Sequence, residues 1–489
     1  MTATVKDKVR LGADYWRLWT ASVVSNLGDG ISAIAFPWIA SAVTRNGFLI
    51  ALIAVAQRLP WLVFTLPAGV ITDRLDRRKI MVSMDLVRAV AIAVVAVVVL
   101  GAQGDLPDPD ALASGLDVGT NMPVYLVLLV SALALGFAEV LRDNAAQTFL
   151  PAIVETKHLE KANGNLWGAE MVMNSFAGPP LGSVLLGIAF ALPFFVDAGT
   201  FAVAAGLVFL ISGNFRARGS EDAPKKVAWR AEMREGFDWL WNHPLLRPLA
   251  ITLGFLNGLG MMMFSTFVLF AQEDLDLGTG LFSGILQPVA DTFGFESVAA
   301  LTFAILMMAG ALGGVVGSVF AARISKAIGS GPSLWLTMGV SIVTSLVTGL
   351  ATRWWVAFLM LATSTVTAIL WNVITVSLRQ TIIPDALLGR VNSVYRFFGW
   401  GMMPIGSAVG GVVVVVAERF TSRGIALRWP FFVVSAGYVL LFLYAAPKLT
   451  TEAIDGARES AIAAHADDPD TARDALGEAG VGGVPPTDD

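Results

Sequence analysis

The chain has 489 residues, 55% of them hydrophobic and only 15% charged, with a net charge of −5 and a mean hydropathy of +0.69, against roughly 25% charged residues in an ordinary soluble domain. This is the composition of a polytopic membrane protein, and its scattered charges leave no basic face for nucleic acid. With no cysteine there is no disulfide framework, thiolate nucleophile or thiolate metal site, and the three histidines (His158, His243, His465) lie far apart in loops or tail, so neither a metal nor a cofactor is expected.

Lys6, Lys8 and Arg10 precede the first apolar run in the manner of a signal peptide, but the run is long and holds Asp29, so it reads as a retained span. A helix needs roughly 20 apolar residues to cross the hydrocarbon. Apolar runs of that length predict about twelve spans, near 16–40, 49–71, 80–101, 123–146, 166–190, 192–213, 246–271, 298–321, 332–351, 354–378, 394–417 and 429–447. Between the second and third lies the short basic turn GVITDRLDRRK, Gly69 to Lys79. Lys and Arg concentrate in alternate segments, including Arg74, Arg77, Arg78, Lys225, Lys226 and Arg390, whereas 102–122 and 272–296 contain none. The positive-inside rule then places both termini in the cytoplasm. The loop with Arg419, Arg423 and Arg428 is the discordant one, and 272–296 is long for an outside loop and has no assigned role.

The expected fold class is an all-α membrane protein of two six-helix, pseudo-repeated halves, 1–213 and 246–447. Residues 214–245 are a cytoplasmic linker whose AWRAEMREGFDWLWNHP patterning predicts an amphipathic helix on the inner leaflet. The repeat shows in QTFLPAIV (Gln147–Val154) against QTIIPDAL (Gln380–Leu387), and in the Pro-x-Gly-Ser strings Pro180–Ser183 and Pro404–Ser407. Residues 448–489 are acidic and rich in Ala, Gly, Asp and Pro, which predicts a disordered tail.

Ionisable residues inside spans are costly in lipid and mark function by default. Here Asp29, Arg58, Asp85, Arg88, Glu139, Arg142, Asp143, Glu170 and Asp197 all fall in the first half. Asp29 is the deepest acid, with Asn26 one turn earlier on the same face. It reads either as a proton carrier or as a static partner of Arg58; Arg142 and Glu139 join this proton-coupling set. Asp85 with Arg88, and Glu139 with Arg142, are i,i+3 pairs whose plainer role is mutual neutralisation. Asp197 lies near the outer end of its span, where it can reach the headgroups. In FAGPPLGSVLLG, Pro179 and Pro180 predict a kink while Gly178 and Gly182 permit close helix approach. GALGGVVGS in the eighth span has no proline and reads as packing. Asn26, Phe36, Asn257, Trp371 and Asn372 are candidate contacts for a hydrophobic substrate in a central cavity.

The turn matches Gly-x-x-x-Asp-Arg-x-x-Arg-Arg through Gly69, Asp73, Arg74, Arg77 and Arg78, and closely resembles the loop 2–3 signature of the major facilitator superfamily. The resemblance extends to about residue 447. It implies a conformational latch in which Asp73 faces the end of the eleventh span and Arg77 or Arg78 reaches Asp143 or Glu139; the alternative is positive-inside anchoring. The GPPLG core resembles the motif of proton-coupled drug exporters. NLGDGISAIAFPW, DNAAQTFLPAIV and RQTIIPDALLGRVNS look like the branch that includes the enterobactin exporter and the macrolide and tetracycline efflux pumps. These resemblances imply a monomeric, proton-coupled antiporter of a small amphipathic substrate in a bacterial cell membrane, its partners being substrate, protons and the lipid bilayer. An importer or lipid translocator on the same fold is the alternative.

Overall fold

In the computed structural model, the described residues are 11–107, 111–112, 119–155, 158–213, 215, 229–278, 282–293 and 297–466. Among them, twelve helices are long and apolar enough to cross a membrane, and the chain is a multi-pass membrane protein. The first four spans are α1 (Ala13–Val43), α2 (Gly47–Arg74), α3 (Arg77–Ala102) and α4 (Met122–Ile153). The fifth comprises α5 (Leu159–Met171), a wider π-helical turn over Val172–Ala177, and α6 (Gly178–Ile188); the sixth is α7 (Leu192–Phe209). Helix α8 (Trp229–Asn242) precedes a seventh span built from α9 (Leu246–Phe264) and α10 (Phe267–Asp274), with the short α11 (Ser283–Phe293) after it. The remaining spans are α12 (Val298–Ile328), α13 (Ser330–Leu350), α14 (Trp354–Ile382), α15 (Asp385–Ala417) and α16 (Arg423–Ala445), followed by α17 (Thr451–Ala466).

Several helices outrun their apolar stretches. Helix α4 continues to Ile153 and α14 to Ile382, because backbone hydrogen bonding does not stop where the hydrocarbon does. Start signals are side-chain caps: Asn46 accepts from the amides of Phe48 and Leu49, Asp76 from Lys79 and Ser297 from Ala300. The expected kink at Pro179 and Pro180 takes another form. Both prolines sit in the first turn of α6, where a missing N–H costs least, and the π-helical turn upstream takes up the distortion.

In the first half α1 packs on α7, α3 on α4 and α7, and α2 on α4; in the second α9 packs on α15, α12 on α14, and α13 on α16. The halves meet chiefly along α2 with α15 and α6 with α12. The Pro-x-Gly-Ser strings are used alike in both. A Cβ on Gly182 would lie 2.7 Å from the Ile31 carbonyl of α1, and Gly406 abuts Gly258 of α9. Each string thus seats its helix against the first span of its own half. Gly313 and Gly317 seat α12 on α14, the packing role expected of the eighth-span glycines.

The chain after residue 447 differs from the expected disorder. Leu449 and Ile454 are fully buried, and with Ala457 and Ala461 they cover the ends of α13 and α14. An apolar stripe three to four residues apart makes α17 a packed helix despite the surrounding acids; residues 467–489 lie outside the described residues. Of the linker, 214 and 216–228 also lie outside them. Helix α8 packs on the start of α15 through an Arg390–Glu235 ion pair of 2.7 Å and the stacked rings of Phe237, Trp241 and Phe398.

Candidate functional site: a central cavity with charged and apolar parts

A cavity of about 410 Å³ runs between the spans of the first half and α15 of the second. One end of the bundle is marked by Arg77 and the other by Arg423. From Ser32, Phe36 and Gln57 at mid-depth the cavity widens to Leu150, Asn163 and Trp167 near the Arg77 end, where Asn163 and Trp167 are exposed. A second, apolar cavity of about 180 Å³ shares Ser32, Ala33, Phe36, Gln57 and Arg58 with it, and continues between the halves against Phe264, Phe267, Phe303 and Met307. A molecule spanning both meets charge at one end and aromatic rings at the other.

The charged wall is a relay of ion pairs across three helices. Arg88 of α3 donates to Asp29 of α1, lies 3.7 Å from Asp85, and places its guanidinium 3.8 Å from the Phe201 ring centroid. Asp85, fully buried, is also 3.3 Å from Arg142 of α4, which in turn is 3.9 Å from Asp143. Buried charges persist only when paired in this way.

Sequence spacing misassigned several partners. Asp29 pairs with Arg88 rather than Arg58, although Arg58 lines the same cavity. Arg142 pairs with Asp85 across two helices rather than with Glu139, which faces the cavity. Neither Arg77 nor Arg78 reaches Asp143 or Glu139. Arg77 donates to the Thr148 carbonyl (2.9 Å) and Arg78 to the Ile211 carbonyl (2.6 Å). Asp143 belongs to the cavity wall. The side chains of Gly69, Asp73 and Arg74 lie outside the described residues.

Asn26 and Phe36 line the cavity as expected. Three other substrate candidates do not. Asn257 donates to the Gly399 carbonyl (2.9 Å), which satisfies its amide within the second half. Trp371 is buried in the apolar core there, and Asn372 is exposed and lines neither cavity. Asp197 is fully buried and lines the cavity rather than reaching the headgroups. Trp61 and Trp400, their rings 4.7 Å apart and inclined by 36° across the two halves, also line it. In sequence, Trp61 differs little from a lipid-facing aromatic. Gly178 and Gly30 bring α6 and α1 into backbone contact, the close approach expected of the GPPLG glycines. Among the described residues no cluster of His, Cys, Asp or Glu could hold a metal ion.

At the Arg423 end the halves are clasped. Arg45, after α1, donates to Gln272 of α10 (2.6 Å) and to the Leu112 carbonyl (2.6 Å), and Gln272 donates to Ser41 (2.9 Å). Arg423 binds both oxygens of Glu273 (2.7 and 2.9 Å), Glu418 (2.7 Å) and the Arg45 carbonyl (2.8 Å). Arg428 lies 3.3 Å from Asp274. Of the arginines discordant in the last outside loop, Arg423 and Arg428 are thus neutralised by Glu273 and Asp274 at the start of the long loop, Arg423 also by Glu418.

Removing the clasp is expected to open that end. Because the chain lacks cysteine, a single Ala40→Cys reporter at a buried second-cavity position can be labelled by an impermeant maleimide. Arg423→Ala should raise its labelling rate about tenfold, the change that about 1.4 kcal/mol produces; an unchanged rate would deny the clasp any part in closure.

Comparison with known proteins agrees with this geometry. The model of the Major Facilitator Superfamily matches residues 18–407. The chain is 29% identical over 263 residues to the multidrug efflux pump Tap of Mycolicibacterium fortuitum, covering 52% of this chain and 58% of that one; it thus spans less than two thirds of that relative. It is 25% identical over 330 residues to Tap of Mycobacterium tuberculosis (strain ATCC 25618 / H37Rv), covering 66% and 68%. Among solved structures, a bacterial homologue of the iron transporter ferroportin in an inward-facing state has a TM-score of 0.61 at 14% identity, covering 90% of this chain and 100% of that one. A bacterial homologue of the lysosomal transporter Spinster, inward-facing and unoccupied, has 0.62 at 13% identity, covering 91% and 98%. At such identities the structures show a shared fold alone.

Proposed function

The chain belongs to the Major Facilitator Superfamily of transporters, and from that premise we propose that it is a proton-coupled exporter of an amphipathic small molecule, working by alternating access. The carrying observation is the pair of continuous cavities, charged towards the Arg77 end and apolar between the halves, open at the first end and clasped at the other. The names of the Tap relatives favour export. Positive-inside charge places the Arg77 end and both termini in the cytoplasm of a bacterial cell, so the cavity takes cargo from that side.

Asp29, Arg88 and the cavity acids give the coupling its chemistry. Protonation of Asp29 would free Arg88 to turn wholly to Asp85, and a cationic group on the cargo would compete for the same carboxylate. Rocking of the halves about α2 and α15 would then break the contacts of Arg45 with Gln272 and Glu273 and the bond from Arg423 to the Arg45 carbonyl, and expose the cavity on the other side. Arg77 and Arg78, tied to carbonyls of their own half, keep that half stiff. The protein works as a monomer in this scheme, since the cavity is complete within one chain.

Inside-out vesicles with an imposed proton gradient test this reading. Compounds from a panel of amphipathic dyes, antibiotics and siderophores should dissipate the gradient in vesicles holding the native protein and leave it intact in vesicles without it. Lipid-headgroup flipping with no proton movement would favour a translocator instead.

A further inference from the structure

We propose that Asp197 is a second proton-binding site of the cavity, separate from the Asp29–Arg88 pair, so that the sixth span carries a proton through the transport cycle. This rests on the proton-coupled reading above. The carboxylate is fully buried near the start of α7 and borders the cavity, so the path between it and the cavity does not cross lipid. Its polar neighbours are two hydroxyls: Ser32 of α1 donates to one oxygen, and the Thr200 hydroxyl, which donates to the Asp197 backbone carbonyl at 2.7 Å, lies 3.2 Å from the other. Gly28 makes the seat, since a Cβ there would collide with both the Asp197 carboxylate and the Thr200 hydroxyl.

Among the described residues no Lys, Arg or His comes within ion-pair distance of Asp197. The charged groups facing it are Asp29 on α1 and Arg88 with Asp85 on α3; α6, also packed against α7, brings none. Arg88 is committed to Asp29 and Asp85. An ionised carboxylate removed from water with only neutral donors is among the costliest groups a membrane protein can hold. A bound proton removes that cost, and a neutral carboxyl still accepts from Ser32 while its own O–H can donate to the Thr200 hydroxyl oxygen. When the cavity turns to the other side, the same group meets a different proton concentration, which is what a carrier needs. A carboxylate with two hydroxyls also has the chemistry of a sodium site, and the experiment separates the two ions.

Purified full-length protein is titrated between acidic and alkaline buffer while the infrared carbonyl stretch of protonated carboxylic acids is recorded. Asp197→Asn should lose one component of that band, whereas Ser32→Ala should keep it and move it to higher frequency, because a hydrogen bond to the carbonyl is gone. Replacing sodium by choline should change nothing. A band unaltered in both variants overturns the proposal, as does a component that appears only without sodium. Should Asp197→Asn fail to fold, the Ser32→Ala shift decides alone. Loss of the band in a protein that moves no protons in vesicles upholds the site and sinks the coupled-export reading; proton movement with an unaltered band does the reverse.

Discussion

Asp29→Asn is expected to abolish gradient-driven accumulation of cargo while leaving equal-pH exchange within about tenfold of native, a change of about 1.4 kcal/mol. The asparagine keeps an oxygen near Arg88 but loses the charge that the guanidinium binds. Arg88 retains Asp85 at 3.7 Å and the Phe201 face, so the fold survives a substitution that would cost about 3–5 kcal/mol if it left a buried charge wholly unpaired. The measurement compares uphill transport under a pH gradient with tracer exchange at symmetrical pH, using the compound that dissipates the gradient in native vesicles. Active, pH-sensitive export retained by the variant would remove Asp29 from the coupling and leave it a structural partner of Arg88.

A second large effect is expected at the α1–α6 crossing. A Cβ on Gly178 would sit 2.7 Å from the Gly30 carbonyl carbon and 2.8 Å from the Met173 carbonyl oxygen, and one on Gly30 would sit 2.9 Å from the Gly178 Cα. These neighbours are backbone and cannot rotate away. Overpacking typically costs about 1–3 kcal/mol, and with rigid neighbours Gly178→Leu belongs at the upper end. It should lower the melting temperature of the purified protein and end transport, with Gly178→Ala intermediate. Gly206→Leu is the control, since nothing lies within 4 Å of a Cβ there. If the Gly178→Leu and Gly206→Leu proteins melt alike, the crossing does not depend on small residues.

Much of the fold was legible because the bilayer sets a length that apolar runs must meet. The spans near 80–101 and 354–378 reappear as α3 and α14 with modest extensions. The break of the seventh span at Ser265 and Thr266 was not legible, since neither residue is a strong helix breaker and the turn is fixed by tertiary bonds such as Ser265 to the Ser407 carbonyl at 3.2 Å. The site was legible as a set of residue types, less so as pairs. Spacing of i,i+3 shows which charges share a helix face, but Arg142 had a fully buried acid on another helix within reach and turned to it. Asp197 misled because distance along a span was taken for distance from water, although its face of α7 looks into the protein. Trp371 and Asn257 illustrate the converse: a large ring or an amide in a span finds its place against neighbouring helices as readily as in a cavity.

The clasp at the Arg423 end has one more consequence, which lies in the ionic strength of the medium that bathes it. Contacts between charges at the edge of water weaken as salt accumulates, with a Debye length of about 8 Å at 0.15 M ionic strength and about 3 Å at 1 M. Arg423, which reaches the Arg45 carbonyl across the halves, is 37% exposed, whereas Arg45 and the Glu273 it pairs with across them are only 4% and 9% exposed, so part of the clasp feels that screening and part is sheltered. In the proposed alternating-access cycle, the resting balance between the two orientations is therefore partly set by the salinity on that side: dilute medium is expected to hold this end shut, and brine to loosen it before any cargo or proton has bound.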